Sequence, residues 1–584
     1  MAEPIYQYAA PPFAFGAIDD VVPFAFVIDT GVDALGLGAH EGKALLMVAA
    51  PLDPAAIVST PAPPYPFGDV DSYSPLSFSW QGATRTIYPA ATIGRSSLPG
   101  DTPANTYVPA KLTGAINFGV SLFSGADPVT AGSTGIGVLE LTDPDGELDY
   151  MMGYNWDNAP IYLRRGEPAA NFADWELVAS LTGAGILANP QKKEIRLRDQ
   201  GWRLRNAELH GLRYGGTGGS DGDAHLAGII KPYCVGYVFN ITPVAIGATL
   251  LCYQVSCSSI AAVTAVRDGG SPLSAGADYT TYPLLAAATV APGTYATCLA
   301  QGLFRLGSSP VNGVTCDVTG DADVIAGQNG PTTRGQIARR IVTRMGAVRL
   351  NDATQIDFPA LAAFASRQPA PVGWYWNAPI NKADALYEVM RGCLGWWCVR
   401  LNGLFSLGQI EDPALVSPTL ILSFPAAGVG ERRVGEPQMT DWLPPRRATY
   451  IGFRQNYTVQ GQSQLATGVS QADAAIYGAP VRFSTAFDQW TANAYPGAVV
   501  VYIANTGYRD QADSDAEAAR QARLLMVPRY RYSVPVVMDP LADAVGRNTR
   551  IDNFNRLGFG AARQFWCCGV NATAGPYLQV DVWG

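Results

Sequence analysis

The fold is indicated most clearly by residues 137–165, which read GVLELTDPDGELDYMMGYNWDNAPIYLRR. An apolar run at 138–141 is followed by DPDG at 143–146, a combination that favours a tight turn. Proline fixes φ, aspartate bonds the local backbone and glycine tolerates positive φ. A second apolar run, IYL, occupies 161–163. We therefore predict a strand, a turn, an aromatic loop and a second strand. This scaffold contains no candidate nucleophile and no set of metal ligands.

The composition indicates a large β-rich protein with extensive contacts. At 584 residues the chain is too long for one hydrophobic core, and we expect about three to five domains. Only 15% of residues are charged, whereas Tyr, Phe and Trp number 27, 21 and 12. The 62 Gly and 43 Pro predict many turns and short strands. A surface poor in charge and rich in aromatic residues is expected to be covered by partners.

Charge, cysteines and hydropathy exclude several classes. The net charge of −9 argues against a general nucleic-acid binder, which normally has a basic surface. It does not argue against a protein that forms a tube for DNA, because an acidic or neutral inner wall would not bind the DNA that passes. The nine cysteines are irregularly spaced and form no CxxC pair, so we predict buried, reduced thiols. We find no secretory signal and no apolar run of about 18 residues, and we expect synthesis in a cytoplasm.

The order of these patterns predicts a β-rich α+β multidomain protein. We expect several small β-barrel or sandwich-like domains and a short-helix domain around residues 330–395. Five segments are predicted: an N-terminal β or adaptor region (1–105), a first β domain (106–215), an inserted β domain with a short helix (216–320), an α+β domain with a hairpin (321–440) and a C-terminal β domain with one helix (441–584).

Capping residues place the helices. In the α+β segment, Thr333, Asp357 and Asn381 are each expected to cap a helix, because their side chains can accept from free backbone N–H groups. In the inserted segment, Thr294 predicts a short helix over residues 294–303. In the last segment, Ser514-x-x-Glu517 matches a capping box, and Pro528 would stop the helix that it starts.

Turn and alternation signals place the remaining strands. Asn402-Gly403 lies between two apolar runs and predicts a β-hairpin with a type I′ turn, which needs positive φ at both residues. Residues 529–534 alternate as a half-buried strand. Residues 564–570 and 577–583 are predicted to be the final strands.

Short motifs for chemistry are weak in this sequence. GGSDG at 218–222 matches a nucleophile elbow around Ser220, but an elbow needs a strand before and a helix after it, so we predict a loop. The glycines before Lys43 lack phosphate-loop spacing. The alternating acidic residues at 143–149 could suggest calcium, but we favour the turn. The acidic cluster of Asp317, Asp321 and Asp323 is weaker still.

Histidines and paired carboxylates also give no clear active site. His40, His210 and His225 are the only histidines, which is sparse for acid–base or metal chemistry. A carboxylate pair of a glycosidase cannot be recognised from sequence alone. The Arg-Tyr alternation at 529–532 could stack on nucleic acid, yet its period is that of an ordinary strand. We predict no enzyme activity, no catalytic, cofactor-binding or metal-binding residue, and no cofactor.

Four tracts carry a family resemblance: residues 137–165, 292–310, 334–410 and the C-terminal strands. They resemble the tail-hub (tail-tip, baseplate-hub) proteins of long-tailed bacteriophages. The resemblance implies a homotrimer of β-rich domains in a ring under the tail tube. It also implies contacts with distal-tail and tape-measure proteins and with tail-fibre or receptor-binding proteins. Residues 1–105 resemble no family that we can name.

A hub of this kind closes the tail tube and relays host binding to opening for DNA delivery. We therefore expect a virion protein at the tail tip, with DNA passing through without specific binding and with no stable membrane insertion. Two alternatives stay open: a tail-associated cell-wall hydrolase, and a surface glycan-binding β protein that would need an export route.

Overall fold

Two compact units make up the chain. The computed structural model describes residues 44–49, 94–102, 104–112, 118–123, 133–166, 169–247, 249–323, 330–423, 431–537, 544–552, 554, 556–557, 563–571 and 578–584. The first unit contains the described residues from 44 to 112 and from 139 to 196; the second contains those from 118 to 138 and from 197 to 584. The division into five segments stays a prediction.

The first nine strands belong mainly to the first unit. They are β1 (Ala44–Ala49), β2 (Arg95–Ser96), β3 (Tyr107–Val108), β4 (Phe118–Ser121), β5 (Ser133–Ile136), β6 (Val138–Thr142), β7 (Pro160–Gly166), β8 (Glu176–Asn189) and β9 (Lys192–Arg198), with helix α1 (Trp202–Asn206) after them. Five of them form a sheet in the order β1-β7-β8-β9-β6. The strand–turn–strand prediction for 137–165 is confirmed by β6 and β7.

The inserted segment forms strands β10 to β18. They are β10 (Tyr233–Ile241), β11 (Val244–Gly247), β12 (Cys252–Gln254), β13 (Ala262–Asp268), β14 (Ser271–Pro272), β15 (Ser274–Asp278), β16 (Thr294–Cys298), β17 (Leu303–Leu306) and β18 (Val314–Gly320), with helix α2 (Tyr282–Ala287) before β16. Together with β19 (Gly373–Trp376) they form two five-stranded sheets, whose apolar residues share one core that includes Val238, Phe304 and Val318. The β-rich, sandwich-like fold class is therefore confirmed.

The helix predicted over residues 294–303 is wrong. Thr294–Cys298 is strand β16, which pairs with β15 and β17, and the segment's short helix is α2. Gly302 has φ +63°, and a Cβ there would lie 2.3 Å from the Ser256 carbonyl oxygen. A tight turn at this glycine and strand pairing on both sides decide the conformation, which the apolar spacing alone left ambiguous.

The α+β segment contains the predicted helices. They are α3 (Arg334–Thr343), α4 (Phe358–Arg367) and α5 (Lys382–Arg391), accompanied by strands β19 (Gly373–Trp376), β20 (Gly395–Val399) and β21 (Phe405–Gln409). The Asp357 carboxylate accepts from the Ala360 N–H at 3.1 Å, and the Asn381 side chain accepts from the Asp384 N–H at 2.8 Å. The Gln336 side chain closes the start of α3 by accepting from the Thr333 N–H at 3.0 Å.

The predicted hairpin at Asn402-Gly403 is present, but its turn is not type I′. Strands β20 and β21 pair from Gly395↔Gln409 to Val399↔Phe405. Of the two turn residues, Gly403 alone has positive φ, at +85°. The Gly403 N–H donates to the Arg400 carbonyl at 2.9 Å. Because the loop between the paired residues is longer than two residues, it needs positive φ at one position, whereas a type I′ turn needs it at two.

Ten further strands and three helices follow among the described residues; the first two strands precede residue 441, where the predicted C-terminal segment begins, and the third spans it. The strands are β22 (Leu420–Ser423), β23 (Glu431–Arg433), β24 (Gln438–Leu443), β25 (Arg446–Phe453), β26 (Arg482–Phe487), β27 (Val499–Ile503), β28 (Arg529–Val537), β29 (Asn548–Ile551), β30 (Gln564–Asn571) and β31 (Leu578–Trp583), and the helices are α6 (Gln471–Gly478), α7 (Gln489–Ala494) and α8 (Gln511–Leu525). The predicted strands at 529–534 and 564–570 are confirmed, and so is that at 577–583 from Leu578 onward.

Two helix predictions for this segment are wrong. We predicted one helix, but two more, α6 and α7, precede α8. The side chains of Ser470 and Asp488 cap them. The proposed capping box lies inside α8, which begins at Gln511. The Ser514 hydroxyl donates to the Ile451 carbonyl at 2.8 Å, so its polar atom serves tertiary packing and not the helix end.

A column of aromatic rings runs through the core of the second unit, with His210 edge-on to Tyr233 and the other pairs stacked. The ring centroids of His210 and Tyr233 are 6.0 Å apart, those of Tyr233 and Trp376 are 6.0 Å apart, and those of Trp376 and Trp374 are 6.4 Å apart. The guanidinium of Arg334 lies 5.5 Å from the centroid of the Trp374 ring. Ring stacking and this cation–π contact tie strands β10 and β19 to helix α3.

The histidine at the end of this column makes the second unit sensitive to acid. Burial lowers the pKa of His210 to about 4, whereas an unfolded histidine titrates near 6.5. Between these values the unfolded chain binds more protons, so stability that is present above pH 6.5 is lost as the pH falls toward 4. Over this range we expect the free energy of unfolding of wild type to fall by up to about 3 kcal/mol more than that of His210→Phe. Urea unfolding at several pH values measures this difference.

The exposed His225 offers a matched control for this prediction. His225→Phe should keep the pH profile of wild type. Parallel pH profiles for wild type and His210→Phe would contradict the assignment.

Candidate functional site

The acidic turn of residues 143–149 is neutralised by two lysines. Lys111 Nζ lies 3.1 Å from Asp143 and 2.9 Å from Glu147, and it also contacts Asp145. Lys193 Nζ lies 3.0 Å from Asp143 and 2.7 Å from Asp149. Two ammonium groups therefore occupy the position that a bound calcium ion would need.

Asp143 is the centre of this cluster and is fully buried. Its carboxylate also accepts from the Leu148 N–H at 3.1 Å, as the turn prediction requires. Burial opposes the charge of Lys111, but hydrogen bonds to the turn carboxylates outweigh it and raise the pKa of this lysine. The cluster is a fixed structural element of the first unit.

The second acidic cluster is likewise held by cations. Arg267 makes a two-pronged contact with Asp317. Arg340 donates to Asp321 at 2.6 Å and to Asp323 at 2.6 Å. These carboxylates fix strands and helices to one another, and no group of three or more possible metal ligands forms among the described residues.

The other motifs take ordinary structural places. Ser220 lies in a short exposed helical turn at Gly219–Asp221 between glycines with positive φ, so the loop prediction is confirmed. The nine cysteines are free thiols, eight of them buried, and burial raises the pKa of each. His40 and Lys43 lie outside the described residues. The prediction of no catalytic, cofactor-binding or metal-binding residue stays a prediction.

A buried ion pair holds helix α8 in place. Glu517 and Arg520 pair through two contacts, at 2.9 and 2.7 Å. Arg520 also donates to the carbonyls of Ile410 at 2.7 Å and Cys393 at 2.6 Å. Glu517 is 4% exposed. The pair therefore links α8 to the hairpin β20–β21 and to the end of α5.

Helix α8 covers one face of a three-stranded sheet. The strand order is β26-β25-β27, with β25 antiparallel to β26 and parallel to β27. Ile451, Phe453 and Ile503 point into the core that includes Ala518 of α8. The alternate positions of each strand point to the opposite face, because side chains alternate along a strand.

The opposite face is aromatic and exposed. We call Tyr450, Phe483, Phe487 and Tyr502 the aromatic face. The rings of Tyr450 and Tyr502 stack with centroids 4.3 Å apart, and Phe483 packs edge-on against both. Phe487 is 56% and Tyr502 63% exposed. Trp490, 66% exposed, is the second residue of α7, which begins two residues after the end of β26.

Three of the four residues of the aromatic face lie in a part of the sequence that has almost no charge. Between Arg482 and Arg509 the only charged residue is Asp488. Its carboxylate caps α7 by accepting from the N–H groups of Trp490 at 3.3 Å and Thr491 at 3.0 Å. Few charges and exposed aromatic rings are the composition of the centre of a protein interface.

The sequence analysis did not identify this face. In β26, Phe483 and Phe487 are exposed, whereas Ser484 is buried and Ala486 packs against the core. Alternation would have placed the phenylalanines inside. The charge-free run from 489 to 508 is the signal that could have identified the surface.

Comparisons with known proteins give a consistent class at low similarity. No protein-family model and no curated protein matches the chain. Among solved structures, a tail protein from Neisseria meningitidis is 9% identical with TM-score 0.31 and covers 80% of this chain and 91% of its own. A 43 kDa tail protein of prophage MuSo2 from Shewanella oneidensis is 9% identical with TM-score 0.29 and covers 81% and 96%.

A chain in the virion of a native gene transfer agent particle is 14% identical with TM-score 0.35 and covers 61% of this chain and 84% of its own. These neighbours are two tail proteins and a chain of a virion. With TM-scores of 0.35 or below, the proposal for function rests on the chain's own residues.

Proposed function

We propose that this chain is a structural protein of a phage tail that forms the central hub or tip. In that place it would close the tail tube and relay host binding to opening for DNA delivery. The observation that carries the proposal is the aromatic face, a charge-poor sheet surface on a protein whose clustered carboxylates are held in structural pairs. The sequence resemblance to tail-hub proteins supports it.

Self-assembly and partner contacts follow from this role. We propose a homotrimer that contacts distal-tail, tape-measure and tail-fibre or receptor-binding proteins. DNA would pass through without specific binding, in keeping with the net charge of −9. None of the helices in the described part of the chain combines the length and apolarity needed to cross a bilayer.

The mechanism of a hub is mechanical. Rigid units such as the α8-covered sheet would move as bodies when a receptor-binding partner favours the open arrangement of packed interfaces. The buried ion pairs keep each unit rigid during such a movement, so that strain is expressed at the contacts between subunits.

The proposal is tested on purified particles. We expect mass spectrometry to find this chain in tail-bearing particles, and antibody labelling in negative-stain images to mark the tail tip. Absence from particles, or labelling away from the tip, would contradict the role. A cleared band on a peptidoglycan zymogram with the isolated chain would instead favour the wall-hydrolase alternative.

A further inference from the structure

We propose that the aromatic face is the surface on which a second copy of this chain docks. This inference rests on the proposed function, because it specifies the contact through which the protein would self-assemble. Tyr450, Phe483, Phe487 and Tyr502 form the centre of the surface, and the exposed Trp490 follows three residues after Phe487 in the chain.

The exposed area suits the centre of a stable interface. Phe483, Phe487, Trp490 and Tyr502 are 36%, 56%, 66% and 63% exposed. Since a large aromatic side chain has roughly 200 Å² of surface, these four expose about 400 Å². That is half of the about 800 Å² that each partner contributes to a standard interface. Aromatic side chains are also the residues that most often dominate binding energy.

Charge favours an identical partner. Two copies that each carry −9 repel one another wherever acidic surfaces meet. The stretch from Phe483 to Tyr508 carries only Asp488, and that carboxylate is engaged at the start of α7. The aromatic face is therefore a place where two copies can approach without like-charge repulsion. A basic partner would find only Asp488 in this stretch, and that carboxylate already accepts two backbone N–H groups.

The geometry of the rings also disfavours a sugar ligand. A neutral glycan would need open ring faces for stacking. Tyr450 and Tyr502 instead stack on each other at 4.3 Å with an interplanar angle of 11°, so that each covers one face of the other. The outer strands β26 and β27 each pair only with β25 among the described strands.

The double variant Phe487→Asp/Trp490→Asp tests this contact on the full chain. Both side chains are exposed, so the fold should tolerate the change, and circular dichroism checks this. Sedimentation velocity over a concentration series should show self-association of wild type and at least about 100-fold weaker association of the variant, because two anchors are lost and like charges are introduced.

Trp442→Asp is the matched control, because Trp442 is 48% exposed on strand β24 of a different sheet. It should associate as wild type does. A photo-crosslinker placed at residue 487 should yield species at multiples of the chain mass. Association of the double variant at wild-type strength, or a monomeric wild type at high concentration, would overturn this inference. The chain's presence in particles would still be decided separately by mass spectrometry.

Discussion

Glu517→Ala is expected to lower the free energy of unfolding of the second unit by about 3–5 kcal/mol, the cost of leaving one buried charge without its partner. Glu517 is 4% exposed and neutralises Arg520, which lies between α8 and two backbone carbonyls. Without the carboxylate the mostly buried guanidinium keeps the two carbonyl acceptors and the more distant charge of Glu411. Urea unfolding followed by tryptophan fluorescence measures the loss.

Two further variants separate the ion pair from helix α8 itself. Arg523 lies on the exposed side of the same helix, and Arg523→Ala should change stability by no more than about 0.5 kcal/mol. The double variant Glu517→Leu/Arg520→Met should be less destabilised than Glu517→Leu alone, because removing both charges leaves none unpaired. A loss below about 1 kcal/mol for Glu517→Ala would contradict this account.

Asp143→Ala should destabilise the first unit by a similar amount, about 3–5 kcal/mol. Asp143 is fully buried and contacts both Lys111 and Lys193, which are 8% and 2% exposed. Its loss leaves these two ammonium groups facing each other with only the outer carboxylates of the turn. Hydrogen–deuterium exchange should show faster exchange over strands β6 and β7, and urea unfolding should give the magnitude.

Asp143→Asn and Glu194→Ala complete this test. The introduced amide oxygen could still accept from the Leu148 N–H, so Asp143→Asn should lie between wild type and Asp143→Ala. Glu194 pairs with the half-exposed Lys192, and Glu194→Ala should cost less than about 1 kcal/mol. Wild-type stability of Asp143→Asn would mean that the outer carboxylates alone hold the lysines.

Local signals predicted much of the fold. Asp357 and Asn381 cap helices because each cap needs only a side chain and an N–H three residues away. Strand β28 follows from its own alternation. The helix prediction for residues 294–303 failed because the same apolar spacing fits a helix or two strands. Pairing with β15, more than fifteen residues earlier, decided the outcome.

Long-range contacts explain what the sequence could not predict about sites. Lys111 meets Asp143 across 32 residues, and no spacing rule connects them, so the acidic turn could be taken for a calcium loop. The aromatic face was missed for a different reason. Alternation in β26 shows that two faces differ, but not which of them α8 covers. Ser484 and Ala486 lie on the face that α8 covers, and the phenylalanines lie on the other.

The stacked indoles of the aromatic column give this protein an internal optical reporter. Trp374 and Trp376 lie 6.4 Å apart with planes inclined by only 8°, close enough for their electronic transitions to couple. Such a pair contributes a paired positive and negative band to circular dichroism, which isolated indoles do not. The contribution of this pair would vanish when the two rings separate, and Trp374→Phe would separate it from that of Trp396 and Trp566, whose ring centroids are 6.3 Å apart.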